Sequence, residues 1–434
     1  MKDIFIEQYR FVGDLTVSNN ILENINCELT INTYDTNTME VKVIPSQGSL
    51  LFVFDSLKHN APIQIKSKEM RVEIILDVGM PSMEINSKTG YTATFVVYKC
   101  VIIDHLTDQF NPNKIHCSAH ISHSSIFERK RSFTNHYTRG ILAGWHEKKE
   151  NDLHKDIWEK EEHSYKTNLG FLYIVPSFVF GEFKFDEKIE KAKFLFDQIY
   201  LFLVLKHKEL DGVYIEDNFI KNLDDFLILL SFLEGEFIEW KSMAISYSCG
   251  AKLLKEKKIY RRTRNKFDSD KNENHYRRNH ESYQYIINDL FISLQNQETE
   301  TYDEIIRIIT RFLIASTQKI FDTQLIYYHS CLDIIIKYYN ASGRSFSHKL
   351  VDCCLRNSIQ WLDLFPYVTI ESLENKNEFL INKVRNDMLH HGIYPRDYKQ
   401  VQMEMFRIRA LIERLICKML NVDCKNNGVG FAQY

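Results

Sequence analysis

Along this chain the spacing of apolar residues changes once. Up to about residue 125 apolar and polar residues alternate, and after His280 apolar ones recur every three or four residues. Alternation buries one face of a strand, and three-to-four spacing buries one stripe of a helix, so a segment of one kind does not settle as the other. Runs of strands followed by runs of helices give an α+β chain rather than an interleaved parallel sheet. The 434 residues leave room for two or three domains. They divide into a β-rich to α+β region over 1–255, with a subdivision near 125–165, a charged linker or basic arm over 256–280, and an all-α bundle over 281–434.

Strands are expected at Cys27–Tyr34, Met39–Ile44, Ser49–Phe54, Ile63–Lys66, Arg71–Leu76 and Thr92–Ile103. Ser46-Gln47-Gly48, Asn60-Ala61-Pro62, Gly79-Met80-Pro81 and Lys88-Thr89-Gly90 read as the turns between them. Short strands at this spacing form a sandwich or a curled sheet. The region from 126 to 255 is mixed. Trp145–Lys166 is a surface helix or connector, Leu169–Phe185 returns to strands, Lys188–Lys208 and Phe219–Leu233 are helix-like, and Phe237–Tyr247 is a strand.

From Ser282 the chain is helical: Ser282–Leu294, Tyr302–Ile320, Thr323–Tyr339, Ser347–Trp361, Lys376–His391 and Gln400–Leu420. Short connections make such helices antiparallel neighbours in a bundle. In Lys376–His391, Phe379, Leu380, Val384 and Met388 form the apolar stripe, and Gly392 and Pro395 stop the helix. Arg385, Asn386, His390 and His391 therefore share its last two turns, with Asn386 and His390 one turn apart on one face.

An Arg, a polar residue after it and a His after a short gap, late in an all-α region, resembles the motif of HEPN ribonucleases. With a β-rich N-terminal half, the chain resembles the ApeA-like anti-phage HEPN proteins. Arg131 to His136 and Arg139 to His146 have comparable spacing but lack the Asn and the helical setting. The resemblance implies a HEPN bundle that dimerises, so that two motif helices line one RNA cleft. It implies catalytic roles for Arg385, Asn386 and His390 or His391, both of which fit the gap. It also places Asp333 of an earlier helix where it would hold Arg385. The implied activity is an RNA endonuclease toxin, with tRNA among its candidate substrates, that halts an infected cell by abortive infection. The N-terminal half would answer a phage-derived trigger protein.

The residue types suit that chemistry. Histidine titrates near neutrality and can move the proton of a ribose 2′-OH. Arginine is always cationic and grips phosphate oxygens through paired hydrogen bonds. No acidic cluster of the two-metal kind surrounds these residues, so the expected route is metal-free, needs no cofactor and leaves a 2′,3′-cyclic phosphate.

Two other readings compete. A HEPN bundle can bind RNA or nucleotide, or mediate assembly, without catalysis. Alternatively His116, Cys117, His120 and His123 could hold zinc. On a helix the three histidines share a face; on a strand His116 and His120 part from Cys117 and His123. Elsewhere, Arg129, Lys130, Arg131 and Arg139 surround His136 and Tyr137. Lys257, Lys258, Arg261, Arg262 and Arg264 form the densest basic cluster and the expected RNA-phosphate patch. A net charge of -3 supplies no global field for nucleic acid, so such a patch would have to act locally. The start, Met1–Glu7, lacks an apolar leader, no apolar run spans a bilayer, and the nine cysteines show no paired spacing. These features predict a cytoplasmic protein with reduced thiols and no membrane partner.

Overall fold

The computed structural model describes residues 6–17, 20–33, 36–44, 62–86, 90–107, 112, 114–121, 164–167, 170–179, 195–205, 212–263, 280–318, 320–374, 379–391 and 398–423. Its strands are β1 (Ile6–Val17), β2 (Asn20–Asn32), β3 (Glu40–Ile44), β4 (Ile63–Ser67), β5 (Val72–Asn86), β6 (Gly90–His105), β7 (Lys114–Ile121), β8 (Ser164–Thr167), β9 (Gly170–Val179), β10 (Leu195–Leu205), β11 (Trp240–Cys249) and β12 (Lys252–Arg261). Its helices are α1 (Gly212–Glu234), α2 (His280–Gln295), α3 (Thr299–Thr317), α4 (Phe321–Tyr338), α5 (Phe346–Arg356), α6 (Ile370–Glu374), α7 (Leu380–His391) and α8 (Tyr398–Met419). The chain is α+β, β-rich first and helical later. None of the described helices is long and apolar enough to cross a membrane.

The strands run in the order β3-β2-β1-β4-β5-β6-β12-β11-β7-β10-β9-β8, and β3 also pairs with β6. That second pairing closes the first six strands into a barrel. β6 is long enough to serve two neighbours along one edge: Ala93–Val96 pairs with β3, and Lys99–His105 pairs with β12. The barrel is filled by inward-facing Ile25, Leu29, Val41, Ile65, Leu76 and Phe95, the period-two set that alternation predicts. Closure also removes sheet edges that would otherwise pair with other chains.

Several expected elements differ. β1 was not among the predicted strands, because Gly13 and Asp14 interrupt its apolar pattern; its register shifts there, between Gly13 and Leu15. A Cβ at Gly13 would stand 2.7 Å from the Lys66 carbonyl oxygen, so only glycine admits β4 this closely. Gly79-Met80-Pro81 reads as a turn but lies inside β5, where the pairing with β6 is irregular between Val78 and Pro81. A bulge tolerates proline because it releases the ladder N–H. Lys188–Lys208 reads as helical, yet Leu195–Leu205 is a strand with β9 and β7 on either side. A continuous apolar run fits both periods, and strand neighbours on both edges decide it.

The 256–280 linker is also corrected at its start: Glu256–Arg261 belongs to β12, paired with β11 and β6. The expected strand Ser49–Phe54, the segments 128–139 and 145–163, the stretch 264–279 with Arg264, His123, Gly392 and Pro395 lie outside the described residues.

The described residues form two compact units. One holds the twelve strands and α1 through Asn222; the other holds Leu223–Ile238 and the helices from α2 onward. The helical unit therefore begins inside the half that reads as β-rich. Its core shows why: Phe226 meets Phe291 edge-on at 5.7 Å between ring centroids, and Phe232 meets Phe312 at 5.4 Å. Around them Ile305, Ile309, Leu332, Ile335, Ile408 and Leu415 are fully buried. The two helices expected over Tyr302–Ile320 and Thr323–Tyr339 are α3 and α4, which pack as neighbours, and α8 packs on both.

Candidate functional site

The site sits at the end of α7. Its start is pinned by α8: the buried Glu404 carboxylate accepts the Leu380 N–H at 3.1 Å and the Tyr367 hydroxyl at 2.5 Å. A carboxylate at a helix N-terminus satisfies donors that the helix itself leaves open. Burial pushes the Glu404 carboxyl above its ordinary value, against the pull of Tyr367, Arg407 and the Leu380 and Ile381 amides. Just before the helix, Phe379 packs edge-on against Phe365 at 4.9 Å. Its N–H donates to Ser347 Oγ at 3.3 Å.

Phe379, Ile381 and Val384 are buried, whereas Leu380 and Met388 are only half-buried. The stripe is thus rotated slightly from the predicted one, and the rotation buries a polar residue, Asn382. Asn382 Oδ1 lies 3.3 Å from Nε2 of His329 on α4. The His329 ring stacks on Phe346, with centroids 4.2 Å apart, and its Nδ1 lies 3.3 Å from Asp333 Oδ2.

Beyond this anchor the motif residues emerge. Arg385 and Asn386 are half-buried, and Arg385 Nη1 donates to Asn386 Oδ1 at 2.9 Å. His390 and His391 are exposed in the last turn, with ring centroids 6.4 Å apart. Leu389 beside them is also exposed. Asp333 was expected to hold Arg385; its direct partner is instead His329, one turn earlier on its own helix. Arg385 still acts on it through charge. Burial would raise the Asp333 carboxyl, but the hydrogen bond and charge of His329, then Lys337 and Arg385, hold it below the ordinary aspartate value. The helical unit thus gathers an always-charged guanidinium, an amide that orients it, two accessible imidazoles and a nearby carboxylate on two packed helices. Such a set can neutralise a phosphate and move protons.

The sequence reading missed His329, Asn382 and Glu404. Each is a polar residue inside an apolar stripe, and that mismatch was their available signal.

The other candidates separate. Cys117 lies on the buried face of β7 with Ile115, Ala119 and Ile121, while positions 116 and 120 have the opposite parity. Burial, then the charge of Glu216, pushes its thiol well above the ordinary range. Among the described residues no group of three or more His, Cys, Asp or Glu could hold a metal.

The basic cluster is divided by β12, with Lys257 and Arg261 on one parity and Lys258 on the other. Lys257 pairs with Glu216, which also accepts the Tyr247 hydroxyl. Arg261 lies 3.8 Å over the Trp240 ring and donates to its carbonyl at 2.9 Å. Arg262 donates to the Asn37 carbonyl, and Lys258 stands 3.7 Å from Glu256. Each of these four cations has a partner within its own unit, and β12 sets Lys257 and Lys258 on opposite faces.

Searches against protein-family models, curated proteins and solved structures return no match.

Proposed function

We propose that this chain is a metal-independent RNA endonuclease of the HEPN kind, acting in the cytoplasm in anti-phage defence by abortive infection. The observation that carries the reading is the end of α7. There Arg385, oriented by Asn386, shares the last two turns with exposed His390 and His391. Arg385 binds the scissile phosphate and stabilises the charge that builds on its oxygens. A histidine takes the 2′-OH proton as that oxygen attacks phosphorus. The 5′-oxygen leaves with a proton, and a 2′,3′-cyclic phosphate remains. One chain supplies one Arg and few proton-transfer groups, so two α7 helices of a homodimer share the cleft. The strand-bearing unit receives the trigger and restrains the nuclease.

The test is cleavage of RNA by the purified protein and by Arg385→Ala and a His390→Ala, His391→Ala double variant. Losing a single phosphate-binding donor or proton-transfer group lowers the rate by about 10²–10³-fold. Full cleavage by the double variant overturns the assignment. RNA binding without cleavage by the wild type would instead make this a non-catalytic binding module.

A further inference from the structure

We propose that His329 is the positioning residue of α7, a buried ring whose two nitrogens bridge α4 to α7. Its influence on RNA cleavage rests on the reading above; its hold on the helix does not. The ring is 5% exposed and faces two oxygens: Asp333 Oδ2 at 3.3 Å from Nδ1 and Asn382 Oδ1 at 3.3 Å from Nε2. Each ring nitrogen thus has a polar partner within reach, one on α4 and one on α7. The stack on Phe346, with planes 20° apart, holds the ring between these two partners.

Asp333 lies on the same helix as His329, and the charges of Lys337 and Arg385 act on its carboxylate; α7 brings Asn382 to the ring, and α5 brings Phe346. The ring thus joins a carboxylate of α4 to an amide of α7. Asn382 precedes Arg385 by three residues and Asn386 by four, so it lies on their side of the helix. A displacement at Asn382 moves the helical turn that carries Arg385 and Asn386. No motif residue makes this connection itself, which is why the positioning role falls to a buried residue on another helix.

Three variants probe the bridge: Asn382→Asp keeps an oxygen for the ring, Asn382→Leu removes the polar group, and His329→Phe keeps the stack but offers no ring nitrogen.

The experiment measures amide exchange across 380–391 in the full-length protein. Asn382→Leu and His329→Phe are expected to exchange about tenfold faster there, and Asn382→Asp to stay within about twofold of wild type. RNA cleavage on the same samples should follow that order, with the aspartate retaining activity that the leucine loses. Equal loosening by Asn382→Asp and Asn382→Leu, or no loosening by Asn382→Leu, overturns the clamp. Loosening without any change in cleavage overturns the positioning role. If wild type cleaves no RNA, the nuclease reading falls and the exchange pattern alone decides the clamp.

Discussion

Removing the Glu404 side chain tests how the motif helix is anchored. Glu404→Ala strips α7 of the acceptor for its Leu380 N–H and leaves the Tyr367 hydroxyl without its carboxylate. The lost helix cap is worth about 1 kcal/mol. The broken bond to Tyr367 adds about 1 kcal/mol. The missing methylene at a site only 1% exposed adds about 0.8 kcal/mol. The total, about 2–3 kcal/mol, lowers the melting temperature of the helical unit by roughly 5–10 °C at the usual entropy of unfolding for its size.

Glu404→Gln keeps an acceptor oxygen and should recover most of this. Its recovery depends on pH with a fixed sign. Burial raises the Glu404 carboxyl, so its contribution is fully present below the ordinary glutamate value and diminishes as pH rises through the raised one. The glutamine variant lacks that slope, so its deficit relative to wild type is largest in acid and narrows towards neutrality. Circular dichroism melts across pH, paired with amide exchange over 380–391, give both readings. A Glu404→Ala variant that melts within 1 °C of wild type (roughly a few tenths of a kcal/mol) with unaltered exchange refutes the anchor.

The remaining predictions concern the chemistry. Arg385→Ala and His390→Ala proteins, each inactive alone, should regain cleavage when mixed if two protomers share the cleft; an active species that sediments strictly as a monomer excludes this. Chelator should leave the rate unchanged and single-stranded DNA should stay intact, because the attacking group is the ribose 2′-OH; a magnesium requirement or equal DNA cleavage argues against the mechanism. Asp333 has a depressed carboxyl, so its stabilisation is present above the ordinary aspartate value and disappears as pH falls through the depressed one. Asp333→Asn should therefore flatten the acid limb of a pH-stability profile, and an unchanged limb would show that the carboxylate is not coupled to folding.

The sequence made the period legible but not the partners. Helical spacing placed α2, α4 and α8 to within a few residues, since a helix satisfies its own backbone and announces itself locally. Strands depend on neighbours far along the chain. Nothing in Lys252–Arg261, a string of lysines, signals pairing with residues 99–105; the lysines fit because Lys257 meets Glu216 and Arg261 meets Trp240. Leu195–Leu205 carries no alternation, so its apolar run does not tell a strand from a helix. At the candidate site, the spacing of Arg385, Asn386 and His390 was visible because it lies on one helix. The His329 and Glu404 contacts were not, because they join α7 to two other helices.

The shared edge of β6 has a consequence for synthesis. Lys99–His105 is made early, but its partner in β12 is added only after about 150 further residues, which at 5–20 residues per second takes on the order of 10–30 s. The barrel can close meanwhile through β3, leaving the remainder of that edge, Lys99-Cys100-Val101-Ile102-Ile103, as a bare β-template on the nascent chain. Slow-codon placement or chaperone capture between residues 106 and 251 should therefore govern the yield of soluble protein more strongly than the same intervention after β12 has emerged.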